Sequence, residues 1–431
     1  MRTLLLGLFL GLTSVTAHAA NNFPDNDSAF TRLQTFLDQK DYFRLRTALE
    51  EAAPLLSVDN RAYFQAFVDN AFAHTQSSRE LVKELLTGGH TLLTERQQYA
   101  LWILQGNNYY KNGQYRLARE SCDTLLLRYK NLVEASRRDE LLNNRMLWQA
   151  LEDIPPMEVI PGEHTGIRWT RDAAGLMNVP VRKDTATYNF VFDTGAGLST
   201  ISESFARQLG LRLRAADVDV RGSTGVHNKS TLAVADSLYL GNILLKNVVF
   251  LVLPDAQLAF PQIHYAIRAI LGMPVICRLQ EVHILRDGTL HILPSSASRP
   301  SNLALDGWTP VVSVGAAGDT LSFYLDTGST TTDLFSPYFH KHLDEILRSG
   351  QAEISKRGGA GGVVKDDVYR LNEFNLSVGG QQITLPHIDV LTHPADESEG
   401  EQYYGSLGQD VIGLFPEMVL NFKYMYLAFL P

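Results

Sequence analysis

Cysteine is nearly missing from this sequence: Cys122 and Cys277 are the only two in 431 residues. That excludes a small scaffold held together by many disulfides. The two thiols could pair in an oxidising compartment, but they fall in different expected domains and in apolar surroundings, so two separate buried thiols are the expectation. Metal-ligand spacing is lacking too. The 12 His are scattered, with no His-Glu-x-x-His and no Cys-x-x-Cys, and neither metal nor other cofactor is expected. His283 and His291 flank a turn at Asp287-Gly288 and read as a solvated hairpin. No block of Lys and Arg occurs, and the net charge is -9. Without a concentrated basic face nothing neutralises phosphates, which excludes nucleic acid as a partner. Several catalytic signatures are absent as well. There is no Gly-x-Ser-x-Gly elbow, neither cysteine sits in a nucleophile motif, and Gly358 to Gly362 lacks a following Lys-Ser/Thr.

Long apolar runs are absent after the first residues. Residues 1–19 carry Arg2, then Leu4-Leu5-Leu6-Gly7-Leu8-Phe9-Leu10-Gly11-Leu12, then Ala17-His18-Ala19 as a small-x-small site. The apolar core is short for a bilayer span, so a cleaved secretory signal is the reading preferred over an anchor. No cysteine follows the site to carry a lipid. The expectation is an exported bacterial protein, periplasmic or secreted, without a stable membrane anchor.

What the chain does have is 45% hydrophobic content, ample for packed cores. Residues 25–153 carry helical periodicity, with Phe30, Leu33, Phe36 and Leu37 on one face of the first helix and further helices around 43–49, 62–73, 78–86 and 95–111. The stretch from Trp102 through Gly106, Tyr109, Tyr110, Gly113 and Tyr115 to Ala118 resembles a tetratricopeptide helical hairpin, with Gly113 at the turn. A helical domain with an aromatic core is the plainer reading. A dedicated array that binds a protein partner is the alternative.

Ile154-Pro155-Pro156 breaks the helical pattern, and Pro294 to Asn302 is rich in Ser and Pro. Between and beyond them, at 157–294 and 301–431, short strands separated by turns repeat one order of motifs twice. Phe190-Val191-Phe192 runs into Asp193-Thr194-Gly195-Ala196, and Phe323-Tyr324-Leu325 runs into Asp326-Thr327-Gly328-Ser329. Each is followed by a short helical stretch and a Gly-rich hairpin, with Gly222 and Gly225 in the first and Gly359 and Gly361 in the second. The units close with Ile270-Leu271-Gly272 and Ser406-Leu407-Gly408, where Ser406 replaces an apolar residue. Neither Asp alone means more than a turn. Two in matching surroundings point to a pair of carboxylates that meet.

This order of motifs resembles the aspartic peptidases of the retropepsin and pepsin kind, two lobes in one chain, and among them the exported bacterial aspartyl proteases. The resemblance covers about residues 157–431. It implies an all-β double-lobed acid-protease fold behind an N-terminal all-α, tetratricopeptide-like domain, acting as an aspartic endopeptidase on a peptide or protein substrate. Asp193 and Asp326 would be catalytic, supported by Thr194, Gly195, Thr327, Gly328 and Ser329, with the two hairpins as flaps. Two carboxylates near contact do not both ionise easily, so one shared proton prepares a base and an acid together. Ser329 can offer a hydroxyl to a carboxylate where Ala196 cannot, from which a mildly acidic to near-neutral optimum is expected. The alternative, of another class, is a catalytically silent peptide-binding or scaffolding protein using the same cleft and the helical domain. A third reading makes residues from about 21 to 150 a removable inhibitory segment.

Overall fold

The computed structural model describes residues 3–5, 8–9, 27–88, 93–163, 166–222, 227–261, 264–295, 297–359, 362–393 and 402–431. It divides into two compact units, one of residues 1–10, 157–303 and 308–431, the other of residues 11–156 and 304–307. Of the expected signal segment, Thr3–Leu5 and Leu8–Phe9 are short strands, and the rest lies outside the described residues. Among the described residues, no helix is long and apolar enough to cross a membrane.

Among the described residues the second unit holds seven α-helices, Asp27–Asp38, Tyr42–Ala52, Val58–Ala71, Thr75–Thr87, Glu95–Lys111, Tyr115–Arg128 and Ala135–Leu151. Their starts follow local chemistry. Ser57 accepts from the Asn60 N–H, and Thr94 and Gln97 form a reciprocal capping box, meeting donors that a helix leaves open. Gly113 takes φ +68° at the hairpin turn, a conformation that suits glycine. The close approach of the two hairpin helices is at Gly106, where a Cβ would lie 3.3 Å from Ser121 Cβ, while Ala118 is buried beside it. Tyr110 packs on Trp148 at 4.3 Å between ring centroids, so the aromatic stripe is core. Polar residues enter that core as a network: Asn70 Nδ2 donates to Asn107 and Asn108, and Asn108 Nδ2 to Ser78. The two cysteines form no disulfide with one another: Cys122 is buried, its thiol pushed up to about 12 by burial, and Cys277 is only half-buried.

In the first unit, two sheets have the same strand order. One runs Arg212–Gly222, His227–Leu240, Ile243–Leu253, Ser199–Ser202, Ala269–Leu271, Ala186–Phe192, Met177–Lys183. The other runs Gln351–Gly359, Gly362–Val378, Gln381–Leu391, Asp333–Leu334, Gly405–Leu407, Asp319–Leu325, Thr309–Ala316. In each, the strand leading to Asp-Thr-Gly is central, flanked by its own antiparallel neighbour and by a three-residue strand that runs parallel to it. Along Met177–Lys183 and Thr309–Ala316, Val179, Val181, Val311, Val312 and Val314 are fully inside.

A third sheet joins the two halves. Its order is Tyr426–Leu430, Glu417–Asn421, Glu281–Leu285, Thr289–Leu293, Ile167–Arg168. Glu281–Leu285 is therefore a central strand, paired on one side within the first half and on the other with the second. The hairpin read at His283 and His291 is present, with the two as cross-strand partners, but it is not a solvated one. The His283 ring bonds Glu417 on one nitrogen and the buried Glu281, at 2.9 Å, on the other.

Candidate active site

Each Asp-Thr-Gly sits where a central strand stops. The strand's hydrogen bonding passes to the parallel three-residue strand behind it: the Asp193 N–H donates to the Leu271 carbonyl, and the Asp326 N–H to the Leu407 carbonyl, both at 3.0 Å. Behind these, the Gly272 N–H donates to Ser199 Oγ at 3.1 Å and the Gly408 N–H to Thr332 Oγ1 at 3.0 Å. A Cβ on Gly272 would fall 2.6 Å from the Ala196 carbonyl oxygen, and one on Gly408 would fall 2.2 Å from that of Thr331. The Leu-Gly segments thus support both turns alike, and Ser406 does not disturb the second.

The turns lock into one another. The Thr194 N–H donates to Thr327 Oγ1 at 2.9 Å, and the Thr327 N–H to Thr194 Oγ1 at 3.0 Å. Each hydroxyl then donates onward across the divide, Thr194 to the Leu325 carbonyl and Thr327 to the Phe192 carbonyl, both at 2.8 Å. All four bonds are buried, where an unmet backbone group would be costly. Within the second half, Gln409 donates to the Thr327 carbonyl at 2.7 Å and so braces that turn.

This brings Asp193 and Asp326 together. Both are fully buried. Each rests on the glycine of the opposite turn. A Cβ on Gly195 would stand 2.6 Å from Asp326 Oδ1, and one on Gly328 would stand 2.5 Å from Asp193 Oδ1. Neither glycine takes a positive φ, so what each supplies is room for the other carboxyl rather than an unusual turn. Burial and then the Asp326 charge raise Asp193 well above the usual carboxylate range. Burial raises Asp326 as well, offset by the proton of Asp193, the Gly328 N–H, the Tyr324 phenol and the Ser329 N–H. Two carboxyls buried this close to one another do not both ionise easily.

The Ser329 hydroxyl does not serve a carboxylate as expected. It donates to the Thr331 carbonyl at 2.8 Å, because a serine in a turn finds nearby backbone first. Only its backbone N–H approaches Asp326. The donor that does reach the carboxylate is Tyr324, whose OH lies 3.2 Å from Asp326 Oδ2. Sequence reading passed it over, although strand alternation places a residue two before the Asp on the same face. Asp333 was also missed. Buried beside Ser406 and accepting from Thr331 at 3.4 Å, it is raised to about 7, by burial first, with Arg357 opposing.

Of the flap glycines, Gly222 ends the strand Arg212–Gly222 and Gly359 ends Gln351–Gly359. Gly225 and Gly361 lie outside the described residues. Among the described residues no three His, Cys, Asp or Glu side chains cluster as a metal site would require.

Residues 179–275 match the family model of aspartyl proteases. That segment contains the first Asp-Thr-Gly and its supporting Ile-Leu-Gly, and the match supports an aspartic peptidase. Among solved structures, the chain is similar to a retropepsin-like aspartic protease from Rickettsia conorii, at 21% identity over 30% of this chain and 99% of that one, with a TM-score of 0.22. A search of the curated proteins finds no match.

Proposed function

We propose that the chain is an aspartic endopeptidase whose two β-rich halves are the lobes of an acid-protease fold, hydrolysing peptide bonds with water activated by Asp193 and Asp326. One observation carries the reading: two carboxyls from separate halves, each seated on the other's glycine and held there by reciprocal threonine bonds. One carboxylate takes a proton from water as its oxygen bonds to the peptide carbon, and the other gives its proton to the carbonyl oxygen. Collapse of that intermediate breaks the C–N bond, the first carboxyl protonates the leaving amine, and the second recovers its proton. No covalent enzyme intermediate is needed. The hairpins Arg212–Gly222 with His227–Leu240 and Gln351–Gly359 with Gly362–Val378 are long antiparallel pairs, fit to act as flaps over an extended peptide. Export by residues 1–19 and a tetratricopeptide-like helical domain that can engage a protein partner complete the proposal.

The test is cleavage of a mixed peptide library by the purified chain. Asp193→Asn or Asp326→Asn is expected to lower turnover about 10³-fold or more without lowering the unfolding temperature, since both carboxyls are costly to bury. Retained cleavage in the double variant sinks the reading. A wild-type chain that binds peptides and cuts none favours the silent binding protein.

A further inference from the structure

On Oδ1 the two carboxyls are treated alike: the Gly195 N–H donates to Asp193 and the Gly328 N–H to Asp326, both at 2.8 Å. They differ at Oδ2. Asp326 Oδ2 accepts the buried phenol of Tyr324 at 3.2 Å. Asp193 Oδ2 is buried and receives no such donor among the described residues. The reason lies in the strands. Tyr324 pairs with Ser406 on the parallel strand behind it, and the corresponding pair in the first half is Val191 with Ile270. Val191 and Ile270 belong to an apolar cluster with Leu176, Leu253 and Phe260 and have no donor to offer.

We propose that Tyr324 is a positioning residue that breaks the symmetry of the pair, holding Asp326 as the ionised, proton-accepting carboxylate and leaving the proton on Asp193. A hydrogen bond donated to a carboxylate favours its charged form, and a charge-assisted bond is stronger than a neutral one. With donors equal at Oδ1, the single extra donor at Oδ2 decides which member ionises. Asp193 then donates to the peptide carbonyl, and Asp326 takes the proton from water.

Other charges act on this pair. Asp193 faces both the phenol and Asp326 from the opposite half. Arg357, on the hairpin strand Gln351–Gly359, acts on the phenol and is itself paired with Asp366 at 2.7 Å. Asp333 lies one strand beyond Ser406, in the fields of Arg357, Asp389 and Asp410. Burial and the carboxylates hold the phenol well above its ordinary pKa, so it stays a donor throughout the working range.

The consequence for turnover rests on the peptidase reading, but the electrostatic claim does not. In Tyr324→Phe, the acid limb of kcat/KM is expected to move up by about 0.5–1 pH unit, so that kcat/KM well below the limb falls by about 3- to 10-fold, with KM changed less than about twofold. A role in packing alone would change stability and leave that limb where it was. The second measurement needs no activity. With ¹³C-labelled Asp, the lone carboxyl of Asp193→Asn is expected to titrate below the lone carboxyl of Asp326→Asn, and adding Tyr324→Phe to the former raises it. The first of these comparisons holds even if Tyr324→Phe does not fold. An unmoved acid limb in an active enzyme, or the reverse order of titration, overturns the inference while the peptidase reading stands. An inactive wild type with the expected order of titration overturns the peptidase reading alone.

Discussion

The two halves of the β-rich unit share a backbone plan and fill it in opposite ways. Starting two residues before each Asp and crossing the sheet strand by strand, the first half reads Val191, Ile270, Thr200, Leu251, Leu232. The second, in the same register, reads Tyr324, Ser406, Asp333, Asp389, Arg370. Cross-strand partners share a face, so a row that is apolar but for Thr200 in one half answers a polar and charged row in the other. The polar row is partly satisfied: Arg370 makes a two-pronged pair with Asp389 at 2.8 and 2.9 Å and also bonds Glu353. Asp333 and Ser406 are the weak points, one with a long bond from Thr331 and the other with no hydrogen-bond partner for its hydroxyl among the described residues. Burying polar groups so poorly met is costly. The difference teaches that the strands around the turns carry the scaffold, while what lines them is open to change.

Three experiments bear on that contrast. The turns are where the halves should behave alike. Gly195→Ala and Gly328→Ala are each expected to cost about 10²-fold in turnover, through carboxyls pushed out of line, and about 1–3 kcal/mol in stability. Peptide cleavage and thermal unfolding would show it. Tolerance of one alanine but not the other would break the equivalence.

The rows are where the halves should differ. Asp333 is raised to about 7 in the folded protein, against about 4 when unfolded. Below pH 4 both states hold the proton and the protein has its full stability. Between about pH 4 and 7 the unfolded chain ionises first, and stability falls. Asp333→Asn is therefore expected to unfold like wild type near pH 4 and to be more stable at pH 8 by about 2–4 kcal/mol. Thr200→Val, at the matching place, should leave the pH slope as it is. Chemical denaturation at the two pH values measures both.

The smallest effect belongs to Ser406. Removing a buried hydroxyl that has no partner is expected to leave stability unchanged or to raise it by up to about 1 kcal/mol. A loss greater than about 1 kcal/mol in Ser406→Ala would mean that the hydroxyl has a role the row does not explain.

Much of the site was legible because its parts are local. Asp-Thr-Gly, Gly222, Gly359 and Leu271-Gly272 or Leu407-Gly408 each announce a turn or a strand end within a few residues, and repetition in order made them a pair. The helical unit was legible for the same reason, as Thr94, Gln97 and Gly113 mark helix ends by nearby chemistry. What escaped depends on distant partners. Glu281 to Leu285 looks like an exposed hairpin until Glu417–Asn421 is placed beside it. Tyr324 reads as an ordinary strand aromatic, and only the sheet shows that its phenol turns toward Asp326. Ser329 misled in the other direction, since its hydroxyl had a local acceptor at Thr331 that outcompeted the carboxylate.

The crossed threonine bonds have a consequence for how such a chain can evolve. Each half completes the other's turn with a hydroxyl, a carbonyl and a glycine, and with little else. Selection on the match between the halves therefore falls on a handful of positions, Phe192 to Gly195 and Leu325 to Gly328. Everywhere else a duplicated half is released from resembling its twin. One copy can keep an oily lining while the other gathers acids and arginines, and the register of the two carboxyls survives the divergence.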